Sequence, residues 1–108
     1  MTSQGTAHGR FTRAIKNGNV LRAEMAAREM GGLSLADALS LCELLAGRDP
    51  ARFERAALRW LQRFIDERLP RLAEVVLAAS ALAEIGFGPG VGGDSLRHLL
   101  RKPRAAPR

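Results

Sequence analysis

Apolar residues recur along this chain at the three- and four-residue spacing of an α-helix, and no segment shows the two-residue alternation of a strand. Phe11, Ala14 and Ile15 share one side of a short segment over residues 10–17, which Gly18 ends. Asn19 then caps VLRAEMAAREM, where Leu21 and Met25 are one turn apart and Val20, Ala23, Ala27 and Met30 form the neighbouring stripe. The small Ala23 and Ala27 predict close approach of another helix. After Gly31-Gly32, Ser34 and Asp37 read as a cap with a short-armed capping box, opening LADALSLCELLA up to Gly47. Asp49-Pro50 is a further start signal, with Pro at the first helical position. The helix it opens, ARFERAALRWLQRFIDER, stops at Leu69-Pro70. Pro70 is expected to open a fifth helix through residue 85, and a short amphipathic piece, DSLRHLLRK, ends at Pro103.

These signals predict an all-α fold of five or six helices, either a bundle or a short antiparallel array of helical hairpins, because the connections are short. The fifth helix is apolar nearly all round, so it is expected at the centre. The expected organisation is a disordered stretch over 1–9, a helical domain over 10–85, a glycine-rich linker over 86–93, a short basic helix over 94–102 and a disordered tail over 103–108. With the last helix as an appendage, removal of residues 86–108 is expected to leave a folded core.

The linker, GFGPGVGGDS, resembles a phosphate cradle. From Gly88 it reads G-x-x-x-x-G-x-S, but Asp94 stands where a P-loop has lysine, and a helix rather than a strand leads in. A helix stop at Gly86 and a new start at Asp94 or Ser95 explain it better. No nucleotide or other cofactor is expected.

Within 108 residues the net charge is +6, and its distribution is uneven. Residues 1–16 carry three basic groups and 97–108 carry five, neither with an acid, while 17–96 hold nine basic and eleven acidic residues. Cationic ends favour anionic partners. The fifteen Arg against two Lys are also what a GC-rich genome produces. On the fourth helix Arg52, Arg55, Arg59 and Arg63 fall within about an 80° sector, while Phe53, Ala57, Trp60, Leu61 and Phe64 cluster on another side. The aromatics are therefore expected inside, with Trp60 buried, and the arginines outside. Together with Arg97, Arg101, Lys102 and Arg104 they are the candidate phosphate or anion contacts.

Other chemistry finds little support. Cys42 is the sole cysteine, in an apolar helix, and reads as a small buried hydrophobe. His8 and His98 are far apart, and no His/Cys/carboxylate spacing suits a metal. AAREMGGLS resembles a helix-turn-helix corner, but the following helix has Asp37 and Glu43 and no base-reading side chain. No stretch is long and apolar enough for a membrane span, and the N-terminus lacks the apolar core of a signal peptide, so a cytoplasmic protein is expected.

The paired Ala26-Ala27 and Ala56-Ala57, thirty residues apart, resemble the spacing of tetratricopeptide hairpins. LSLADALSLCELLA and DPARFERAALRWLQRF resemble a class of small all-helical actinobacterial proteins over about residues 11–85. That resemblance implies a helical fold and a bacterial origin, and assigns no activity or functional residues. Two function classes follow. The first is a non-enzymatic interaction or adaptor module whose protein partner is either another protein or, in a homodimer, a second copy of the chain. The alternative is non-specific nucleic-acid binding through the basic termini and the arginine row.

Overall fold

Polar caps and glycine breaks divide the chain much as their positions predict. The computed structural model describes residues 6–88 and 92–102, which form α1 (Ala7–Lys16), α2 (Val20–Met30), α3 (Leu35–Arg48), α4 (Pro50–Arg68), α5 (Leu72–Phe87) and α6 (Gly92–Arg101). Among the described residues there is no strand. Asn19 Oδ1 accepts from the Arg22 N–H at 3.0 Å, Ser34 Oγ from the Asp37 N–H at 3.1 Å, and Asp49 Oδ1 from the Arg52 N–H at 3.4 Å. Each side chain satisfies a donor that the first helical turn leaves free. The expected linker and tails at 1–5, 89–91 and 103–108 lie outside the described residues.

Four boundaries differ from expectation. The first helix begins at Ala7, not Arg10, because Thr6 Oγ1 caps the Gly9 N–H at 2.9 Å. The fifth begins at Leu72, not Pro70. Leu69 takes the left-handed conformation (φ 48°) as the α4 C-cap, and Glu74 Oε1 reaches back to accept from the Arg71 N–H at 3.0 Å. Gly86 does not end α5, which continues to Phe87. A Cβ at Gly86 would come within 2.9 Å of Phe53 Cε2, so this glycine is a contact point for a neighbouring ring. Nor does α6 wait for Asp94. It starts at Gly92, buried where a Cβ would lie 2.5 Å from the Ala81 carbonyl oxygen, and Gly93 is buried beneath Glu43. These glycines let α6 approach α5 and α3.

The central helix is α3, not α5. It touches each of the other five helices and buries Leu35, Leu39, Cys42 and Leu45. By contrast α5 buries only Ala78, Ala81 and Leu82. The molecule measures 44 × 31 × 20 Å, about two helix diameters in its thin direction, so few helices can be covered on all sides. Along the chain, α1–α2, α3–α4 and α5–α6 pack as successive hairpins.

The core has two parts. Phe11, Ala14, Ala23 and Ala26 join α1 to α2, where small alanines permit the predicted close approach. A larger cluster runs through α3–α6 and includes Leu39, Trp60, Phe64, Leu82, Leu96 and Leu99. As the aromatic spacing predicts, Trp60 is buried, 2% exposed. Its Nε1–H donates to the Leu35 carbonyl at 2.8 Å, and its ring stacks on Phe64 at 5.5 Å between centroids. Leu96 and Leu99 place α6 inside this core. It is not the appendage that the basic sequence suggests.

Candidate binding surfaces

A groove opens between α3, α4 and the side of α2. The half-buried Ala38 and Leu41 line it on the α3 side, and the buried Cys42 and Leu45 close its bottom, in a volume of about 400 Å³. Leu33 adds to the lining, α2 contributes Glu24, and α4 supplies the opposite wall with Arg52, Arg55, Ala56, Arg59, Trp60 and Arg63. α2 and α4 do not pack against each other. Arg52 and Glu24 form an ion pair between them. The groove thus follows the seam between the two parts of the core.

The arginine row is not uniformly free. Arg52 is engaged by Glu24, whose hydrogen bond raises the guanidinium pKa further. Arg63 Nε donates to Glu67 Oε2 at 2.7 Å. Arg55 and Arg59 are exposed and form no hydrogen bond or ion pair among the described residues. Their spacing of four places these two unpaired cations about one turn apart. Beneath them, burial pushes the Cys42 thiol up to about 11, partly opposed by Arg59. The thiol therefore stays neutral near pH 7 and is a poor nucleophile.

The other candidate cations divide differently. Arg97 reaches back to α3, donating to Glu43 Oε1 at 2.5 Å, Glu43 Oε2 at 3.1 Å and Ser40 Oγ at 3.1 Å. The Glu43 hydrogen bond raises its pKa, and the pair fastens α6 to α3. Arg101 and Lys102 are exposed at the end of α6, where the Lys102 carbonyl accepts from Arg68 Nη2 at 2.5 Å. Arg104 lies outside the described residues. The structure therefore brings four of the eight together around one groove and assigns Arg97 a packing role.

A second surface escaped the sequence reading. On α5, Leu72, Val76, Ala83 and Phe87 fall within about 60° of one another, and all four are exposed. Leu72 is 79% and Phe87 92% exposed, with Val76 and Leu77 more than half exposed and Leu69 exposed in the preceding turn. The signal was present in side-chain size: α5 turns its small Ala78 and Ala81 inward and carries larger apolar residues outside. A third depression, about 520 Å³ on the α1–α2 hairpin, is bordered by Leu21, Met25, Arg10, Arg13 and Arg22.

Among the described residues no group of three or more His, Cys, Asp or Glu side chains is placed to hold a metal ion. Among them, too, no helix is long and apolar enough to cross a membrane. Comparison with family models, curated proteins and solved structures finds no match.

Proposed function

We propose that this chain is a small, non-enzymatic helical interaction module that pairs with a second copy of itself through the outer face of α5. The observation carrying this reading is the exposed apolar row of Leu72, Val76 and Phe87, with Leu77 also exposed to one side of it. Their exposed parts amount to roughly several hundred Å², a size that monomers seldom leave uncovered unless the patch binds something. Two copies would together bury on the order of 1,000 Å², near the lower limit of a specific interface.

A second copy suits the face because Leu72 and Phe87 lie at its two ends, with small exposed residues among those between. In an antiparallel, two-fold pairing Leu72 of each copy meets Phe87 of the other, while Ala73, Ser80 and Ala83 let the backbones approach. Glu84 is the one charged side chain on this exposed stretch. A neutral, buried Cys42 supports the non-enzymatic reading, and a lone thiol is ordinary in the reducing cytoplasm. The proposal does not require a tetratricopeptide array; helix lengths of 10, 11, 14, 19, 16 and 10 residues give no repeated unit.

Sedimentation equilibrium of the full chain is the test. A dimer that Val76→Glu converts to a monomer, with helix content unchanged by circular dichroism, is the expected result. A wild-type protein that stays monomeric at about 100 μM would remove self-pairing, since a specific interface of this size usually binds more tightly. Non-specific nucleic-acid binding is the second reading, favoured by exposed Arg55, Arg59, Arg101 and Lys102. It predicts affinity for duplex DNA that falls with salt at a log–log slope of about −4 for four contacts.

A further inference from the structure

The groove over α3 differs in chemistry from the α5 face. Its accessible apolar lining is the half-buried Leu33, Ala38 and Leu41, above a bottom closed by the buried Cys42 and Leu45. Its α4 wall carries four arginines, against which α2 sets the single carboxylate of Glu24. The floor itself is uncharged, because burial keeps Cys42 protonated.

We propose that this groove docks an acidic amphipathic helix of a partner protein. The guest's apolar residues lie against Leu33, Ala38 and Leu41, and two of its carboxylates, one turn apart, meet Arg55 and Arg59. These arginines have no partner of their own among the described residues, so they can form charge-assisted, forked hydrogen bonds without breaking an existing pair. A third carboxylate can compete with Glu24 for Arg52, whose ion pair is solvent-accessible. The basic C-terminal sequence is repelled by the same wall and is an unsuitable occupant.

Charge and floor chemistry favour a peptide over a nucleic acid. A phosphate backbone following the row would meet Glu24 beside Arg52 and Glu67 beside Arg63. Base stacking needs an exposed aromatic face, whereas Trp60 is buried with its N–H already donated to Leu35. Aliphatic side chains fit the leucine-lined floor better than bases do.

The probe is a fluorescein-labelled peptide of about 15 residues, long enough for several helical turns, made of glutamate and leucine with leucines at helical spacing. Its anisotropy is followed at low salt with the full chain carrying Val76→Glu, which keeps the α5 face out of the measurement. Saturable binding is expected. It should weaken at least about tenfold on Arg55→Glu with Arg59→Glu, and change less than about twofold on Arg101→Glu with Lys102→Glu. A scrambled peptide of the same composition and a lysine–leucine peptide should bind far more weakly.

Lack of saturable binding, equal binding of the scrambled peptide, or indifference to the Arg55 and Arg59 reversals would each overturn the proposal. So would duplex DNA that displaces the peptide and depends on the same two arginines, because the groove would then be a phosphate site. The α5 reading is judged separately by sedimentation, so either result can fail while the other stands.

Discussion

α3 and α5 are two apolar helices of similar length with different fates. LADALSLCELLAGR is surrounded by the other five helices, and LAEVVLAASALAEIGF is covered along one side only. The stretch as a whole is more apolar in α5, yet α3 has the central place. Apolar content measures how much surface a helix can bury, and the number of neighbours decides how much it does bury. Two aromatics mark the extremes: Trp60, packed against α3, is 2% exposed, and Phe87 at the end of α5 is 92% exposed. The difference separates side chains that hold the fold from side chains available to a partner.

The strongest way to break this comparison is to remove the helix that α3 and α5 share. Deleting residues 92–108 uncovers the sites of Leu96 and Leu99 and takes away the Arg97–Glu43 clamp. Loss of a cooperative thermal transition is expected. A truncated chain that still melts sharply near the wild-type temperature would restore α6 to the status of an appendage.

Paired truncations of the aromatics come next. Trp60→Ala should cost about 3–5 kcal/mol in chemical denaturation, through the cavity it leaves, the lost stacking on Phe64 and the lost hydrogen bond to the Leu35 carbonyl. Phe87→Ala should change stability by less than about 0.5 kcal/mol at concentrations where the chain is monomeric. Equal costs at the two sites would mean that Phe87 is buried within the folded chain.

A smaller effect concerns the thiol. The folded pKa of Cys42 is raised from 9.0 to about 11, so its contribution is complete below pH 9 and is lost as pH rises through about 11. Between those values the unfolded chain releases a proton that the folded chain retains. At about 1.4 kcal/mol per pH unit, the loss is on the order of 2–3 kcal/mol. Denaturation from pH 8 to 11 should show this slope in the wild type and less of it in Cys42→Ala. An identical slope in the variant would contradict burial of the thiol.

Of similar size or smaller, about 1–3 kcal/mol, is the expected cost of Gly92→Ala, which forces a methyl group against the Ala81 carbonyl. Gly31→Ala is the contrasting change: nothing lies within 4 Å of its Cβ position, and only its positive φ of 78° opposes the substitution. Melting temperatures of the two variants separate crowding from backbone preference. A Gly92→Ala protein as stable as wild type would show that α6 can move away from α5.

Much of the local structure was legible because its causes are local. Asn19, Ser34 and Asp49 each cap a helix with an oxygen three residues from the N–H it accepts. The aromatic side of α4 and the burial of Trp60 followed from spacing within one helix. The arginine row was equally visible, but its division was not. Glu24 lies 28 residues from Arg52, and Glu43 lies 54 residues from Arg97. Sequence spacing cannot show which cations such distant carboxylates will hold.

By itself, then, the sequence determined the helical class, most helix ends and the inward side of α4, because caps and periodicity act within a few residues. Only the tertiary structure decided that α3 is central, that α5 leaves Leu72, Val76 and Phe87 uncovered, that Gly86, Gly92 and Gly93 are packing contacts, and that Arg55 and Arg59 are the members of their row without a partner among the described residues. Each of those outcomes depends on which surface arrives from elsewhere in the chain. A helix specifies its own apolar face, but its neighbours are set by the way all six helices divide the limited interior of a body 20 Å thick.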